Sequence, residues 1–254
     1  MTSFVIKPSE TIGTKFRLGQ ELLHDGFVST FDASISEKRS VWLQLFEASP
    51  ECNYYPTFLR ELTETAACLR SCCQQVHSID DAGIDQQSSI LWTSQKARRG
   101  LFLSELIEST GPLHPTIAAR ILIGVCECLI DAKDAGVLHG CLGPSQVFLE
   151  HSGRGDIAVR LFGFGCSQVA LRVLRRQLSL DPPSFLAYAA PELHQANQGI
   201  TPRSEIWSVC LTLYYALSGF CPSLAPTTDQ SSKLPDLQDI APWLEPGLAH
   251  IVQA

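Results

Sequence analysis

The sequence predicts an α+β fold of two lobes, a small antiparallel sheet with one helix followed by a mainly helical lobe. Three observations predict it. Short alternating apolar runs are confined to roughly the first hundred residues, one segment of helical period interrupts them, and long helical stripes dominate afterwards.

From Lys15 to Phe46 the chain alternates in the pieces FRLGQELL, GFVSTFDAS and RSVWLQLFE, with turn-like HDG and SEK between them, which reads as an antiparallel meander. Thr57–Cys73 changes to helical spacing, with Phe58, Leu62, Ala66, Leu69 and Cys73 on one face. Two further strands are expected at Val76–Ile79 and Ile90–Thr93, separated by the polar turn DDAGIDQQ. Residues 15–95 would form the first lobe, behind an extension of residues 1–14.

Residues 96–254 would form the second lobe. There LFLSELIE is a short amphipathic segment. Thr116–Ala135 carries Ile117, Ile121, Val125, Leu129 and Ala132 on one stripe, with Pro115 suited to its first turn and Gly136 to its stop. SQVFLE and AVRLFGFG read as a hairpin around HSGRGD, and a loop-rich stretch runs on to Pro191. Ser204–Leu217 is apolar nearly all round and ends at Gly219, the pattern of a helix buried in the middle of a lobe. The proline-rich Pro222–Pro242 reads as an irregular surface connection before a helical start at Pro246. No internal repeat is present.

Composition narrows the function classes. A chain of 254 residues with 45% apolar residues can bury substantial cores. A net charge of -7 provides no basic stripe to neutralise a phosphate backbone, so nucleic acid is not an expected partner and proteins are. The ten cysteines include no CxxC pair, which argues against a zinc site, and MTSFVIKPSE lacks the form of a secretory leader. Reduced thiols and a cytoplasmic location are the expectation. The longest apolar run, near Cys210–Leu217, is too short to span a bilayer, so no membrane insertion is expected.

Four motifs then stand in order. VLHGCLGPSQVFLE resembles the protein-kinase catalytic loop H-R-D-L-K-P-x-N, with His139, Leu142 and Pro144 in place. RLFGFG resembles the D-F-G segment, keeping Phe164 and Gly165. AYAAPEL contains A-P-E as Ala190, Pro191 and Glu192. SEIWSVC resembles the D-x-W-S-x-G that opens the buried helix, keeping Trp207 and Ser208. Over residues 15–254 the chain therefore resembles a protein kinase. The resemblance implies the bilobal fold, with the inter-lobe cleft as the place for nucleotide.

The catalytic positions of that pattern are altered. Phosphoryl transfer needs an Asp to orient the attacking hydroxyl, an Asp and an Asn for magnesium, and a Lys for the phosphates. By the resemblance these fall on Cys141, Gly163, Gln146 and Gln44; the catalytic-loop Lys falls on Gly143 and the preceding Arg on Gly140. The helix Glu that partners the Lys falls on Glu61, which is left with nothing to pair with and reads as a solvated charge. The glycine-rich loop keeps Gly26 as its only glycine in LLHDGFVSTFDA. The Asp that ties down the catalytic loop is Glu205, one methylene longer, so that loop is expected to be held less tightly.

These substitutions imply a pseudokinase, not an enzyme, acting as a protein-binding, scaffold or regulatory module. No cofactor and no metal are expected, and ATP is not expected in a cleft reduced to Gly26, Gln44, Phe164 and Gly165. The alternative is an ATP-binding nucleotide switch or weak, atypical phosphotransfer. Cys141 beside His139 lacks the third, orienting group of a cysteine nucleophile. Arg172, Arg175 and Arg176 read as a solvated helix face, while Trp42, Trp92 and Trp207 read as packing residues. LEPGLAHIVQA resembles the start of a later helix, which implies a second lobe short of its last helices. Its exposed apolar edge would suit a protein partner, either a kinase or a second copy of the chain.

Overall fold

In the computed structural model the described residues are 11–36, 39–46, 55–72, 76, 79–85, 87–88, 90–151, 157–174, 183–195, 198–221 and 234–253. The first lobe is a six-stranded antiparallel sheet of β1 (Thr11–Ile12), β2 (Phe16–Asp25), β3 (Val28–Ser36), β4 (Arg39–Phe46), β5 (Asp81–Ile84) and β6 (Leu91–Lys96). Helix α1 (Tyr55–Cys72) joins β4 to β5, and the strand order is β1-β2-β3-β4-β6-β5. Period-two alternation gives β4 two different faces. Val41, Leu43 and Leu45 join Phe16, Phe31 and Trp92 in one core, while Phe46 joins Phe58, Leu62 and Ala66 of α1 in another.

The second lobe begins with β7 (Gly100–Phe102), α2 (Leu103–Thr110) and α3 (Pro115–Asp134), then the hairpin β8 (Val147–His151) and β9 (Ile157–Leu161). Helices α4 (Cys166–Leu174), α5 (Pro202–Ser218), α6 (Leu237–Ile240) and α7 (Pro246–Gln253) follow. Helix α5 starts where Thr201 Oγ1 accepts from Ser204 N at 3.2 Å and stops at Gly219, whose left-handed φ of 69° needs a residue without Cβ. Leu213, Tyr214 and Leu217 of α5 pack in one core with Ile121, Val125 and Leu129 of α3.

Several expectations need correction. The polar turn expected between the two later strands contains β5, which pairs with β6 and whose Gly83 lies so close to the Trp92 ring that a Cβ there would stand 2.5 Å from Trp92 Cζ2. Of the strand expected at Val76–Ile79, residues 77 and 78 lie outside the described residues; Val76 makes an isolated parallel bridge to Leu161, and Ile79 is outside any strand. The loop-rich stretch before Pro191 contains α4, which buries Val169, Ala170 and Val173. The apolar-all-round α5 is covered on most sides, yet Ile206 and Trp207 stand 65% and 44% exposed, so Trp207 is not a core residue. Ile117 is likewise exposed.

Candidate functional site

The cleft between the lobes is floored by residues 137–146, which run from the end of α3 into a single 3-10 turn at Pro144–Gln146. His139 is buried; its Nε2 lies 2.7 Å from Phe162 O, and its ring sits edge-on to Phe164 at 4.7 Å. Burial disfavours the imidazolium and lowers its pKa to about 4. Glu205 Oε1 accepts from the backbone N–H groups of His139 and Gly140, the latter at 3.3 Å. The extra methylene therefore still reaches the loop, contrary to the looser hold expected from the sequence. Thr212 Oγ1 adds a bond to Leu142 O at 2.9 Å.

Cys141 is fully buried and its Sγ donates to Phe185 O at 2.9 Å; burial pushes the thiol far above its ordinary range. It is a packed thiol held by a backbone carbonyl, in surroundings that disfavour the thiolate. The glycines on either side of it are crowded. A Cβ on Gly140, whose φ is +89°, would stand 2.0 Å from Ile200 Cδ1, and one on Gly143 would stand 3.0 Å from Phe185 Cα.

Gln146 turns its Oε1 back to accept from Gly143 N at 3.1 Å, and its Nε2 would lie 2.6 Å from a Cβ on Gly163. Gly163 itself has φ of +85°. The two positions are complementary in shape: the amide of one occupies the volume that a side chain on the other would need. Gln44 projects from β4, and its Oε1 accepts from Cys166 Sγ at 3.3 Å, a thiol pushed up to about 12 by burial. Gly165, with φ of +79°, lets the chain pass beside Leu62 of α1.

Two links close the cleft from above. Gly26, at φ of +62°, and Phe27 make the tight turn between β2 and β3, since Asp25 pairs with Val28. Phe27 is buried in a cluster that includes Cys141 and Phe185. Beside it the Asp25 carboxylate accepts from Ser184 N and, at 3.1 Å, from Ser184 Oγ. The second link corrects the sequence reading. Glu61 does pair, with Arg172 of α4 at 2.6 Å, so neither residue is merely a solvated charge.

The rest of the cleft is filled by rings. Trp42 lies 5.0 Å from Phe148, 5.2 Å from Phe162 and 5.9 Å from Phe102, in edge-on and tilted arrangements. Trp42 thus packs across the lobes and not only within the first. Trp92, by contrast, stays within the first lobe against Phe16. What remains is a partly open pocket of about 30 Å³ between Trp42, Gln44, Gln95, Gln146 and Gly163, and none of its described lining residues is charged.

No family model matches the chain. The serine/threonine-protein kinase PrkC of Bacillus subtilis is 27% identical over 146 residues, which are 57% of this chain and 21% of that protein. The probable serine/threonine-protein kinase PknB of Corynebacterium glutamicum is 23% identical over 204 residues, 80% of this chain and 30% of that protein. The chain therefore spans less than a third of the length of these curated relatives. Among solved structures, the kinase domain of Mycobacterium tuberculosis PknI aligns with a TM-score of 0.70 at 20% identity, over 98% of this chain and 92% of that one. The chain has the fold of a protein-kinase domain, and the curated relatives it resembles are named serine/threonine-protein kinases.

Within a protein-kinase frame the positions acquire meaning. In the register read from the resemblance, β4 is the V-A-I-K strand, with Gln44 at the Lys position and Trp42 at the small Ala two residues before it. That second replacement was missed from the sequence, although the register through Gln44 implies it. Of the positions singled out by the resemblance, Gln44, Gln146 and Gly163 line one pocket, whereas Cys141 is buried in the cluster of Phe27 and Phe185 and does not line it. Among the described residues no group of His, Cys, Asp and Glu is arranged to hold a metal ion, and no helix is long and apolar enough to cross a membrane.

Proposed function

We propose that this chain is a kinase-like domain without phosphotransfer activity that serves as a protein-binding or regulatory module in the cytoplasm. One observation carries the reading: the cleft is filled by Trp42, Phe102, Phe148 and Phe162, and only about 30 Å³ of uncharged cavity remains. A small-molecule site typically offers ~300–1,000 Å³. Phosphoryl transfer acts through positioned charge. Here Gln44, Cys141, Gln146 and Gly163 supply none, and the Glu61 carboxylate is engaged by Arg172. With the cleft closed, the outer surface is what remains for function, and the partner is a protein such as another kinase or a second copy of the chain. The free thiols among the described residues suit a reducing compartment.

The test is a thermal-shift titration with ATP, with and without magnesium, alongside radiolabelled phosphotransfer. Binding to the native state must raise the melting temperature. No shift and no incorporation are expected. A saturable shift without incorporation would favour a nucleotide switch, and incorporation abolished by Gln44→Ala would establish an atypical kinase, as the names of the curated relatives would suggest.

A further inference from the structure

The pocket left between the lobes is lined by a residue whose side-chain acceptor no described protein group satisfies. Gln95, on β6, is 4% exposed and lines the cavity, and its Oε1 has no hydrogen-bond partner among the described residues. Thr93 Oγ1, two residues back on the same face and opposite Gln44, is unpaired in the same way. Buried polar atoms are almost always bonded to protein or to ordered water, because leaving one unpaired forfeits its hydration with no return.

Size, charge and polarity select the occupant. One water needs at least ~10–15 Å³ of such volume, so about 30 Å³ admits one or two waters and nothing drug-sized. The described lining residues carry no charge to balance an ion. Thr30, Ser145, Gln44 and Gln146 offer hydroxyl and amide groups around Gln95, enough for the two to four bonds a buried water makes.

Building on the closed-cleft reading, we propose that this cavity is a structural water site, in which ordered water donates to Gln95 Oε1 and bridges it to Ser145 or Gln146 across the cleft. Because Gln95 belongs to the first lobe and Ser145 and Gln146 to the second, the water forms a polar joint between lobes beside the aromatic cluster.

The experiment combines a crystal structure of the whole chain at high resolution with oxygen-17 relaxation dispersion, which counts long-lived internal waters in solution. We expect density within hydrogen-bond reach of Gln95 Oε1 and of a second lining group, and the loss of at least one long-lived water in Gln95→Met. If Gln95→Met does not fold, Ser145→Ala is read in the same way. A dry cavity, a protein donor on Gln95 Oε1, or an unchanged water count in the variant overturns the proposal. Displacement of the waters by ATP with a raised melting temperature would overturn the closed cleft too, whereas a dry cavity without an ATP shift overturns the water site alone.

Discussion

Arg172 Nη1 lies 2.6 and 2.9 Å from the two carboxylate oxygens of Glu61, tying the helix after the G-F-G segment to the helix of the first lobe. In a kinase frame this carboxylate would meet the Lys of β4; here the cation it meets is Arg172. Both side chains are partly exposed, so solvent screens the pair and its coupling energy should be only ~0.2–1 kcal/mol. A double-mutant cycle with Glu61→Ala and Arg172→Ala, followed by urea unfolding, measures it. A coupling indistinguishable from zero would mean that the pair does not hold α4 in solution.

The Asp25–Ser184 contact should contribute more, because Asp25 is largely buried. Burial raises its pKa, and the bonds from Ser184 offset part of that cost. Asp25→Ala should lower stability by ~1–3 kcal/mol by leaving the Ser184 N–H unpaired. Asp25→Asn, which keeps an acceptor, should cost much less. Hydrogen exchange at Ser184 and Phe185 should quicken in the alanine variant and stay near wild type in the asparagine one.

His139 gives stability a pH dependence whose direction can be stated. Its folded pKa of about 4 lies below the ordinary 6.5, so as pH falls between these values the unfolded chain takes a proton that the folded chain refuses. Stability should fall through that window at up to ~1.4 kcal/mol per pH unit from this residue. Asp25 and Glu205, both raised by burial, act in the opposite sense, because the folded state takes up their protons first. The difference between wild type and His139→Gln therefore isolates the histidine. Parallel pH profiles for the two proteins would show that His139 is not buried neutral.

Trp42→Ala removes the ring on which the other three converge. It should cost ~3–5 kcal/mol in urea unfolding, the usual range for a large aromatic residue truncated in a core. Combined with Gln44→Lys it opens volume and returns one cation, and this double variant should show an ATP-dependent thermal shift that the wild type lacks. A double variant that folds but still ignores ATP would place the obstruction elsewhere, at Phe27 or Asp25.

Most of the scaffold could be read along the chain because its signals are local. Strand alternation in β2 to β4, the stripe of α1 and the Pro115 and Gly219 boundaries each lie within one element. What could not be read depends on partners distant in sequence. Glu61 and Arg172 are 111 residues apart, and no periodicity links them. β5 is short and contains glycine, and it becomes a strand only because β6 presents an edge to it. A helix apolar on every side, such as α5, does not reveal that Ile206 and Trp207 face outward. Trp42 at that place was missed, although the register that puts Gln44 at the Lys of the family pattern also puts a large ring where the pattern has a small residue.

The glycines of the cleft carry one more consequence. Ile200 occupies the place a side chain at Gly140 would take, Phe185 crowds Gly143, and the Gln146 amide stands where a side chain at Gly163 would go. Those volumes are already occupied, so a side chain introduced at any of the three glycines must displace a packed neighbour and would pack worse before it could place a charge in the cleft.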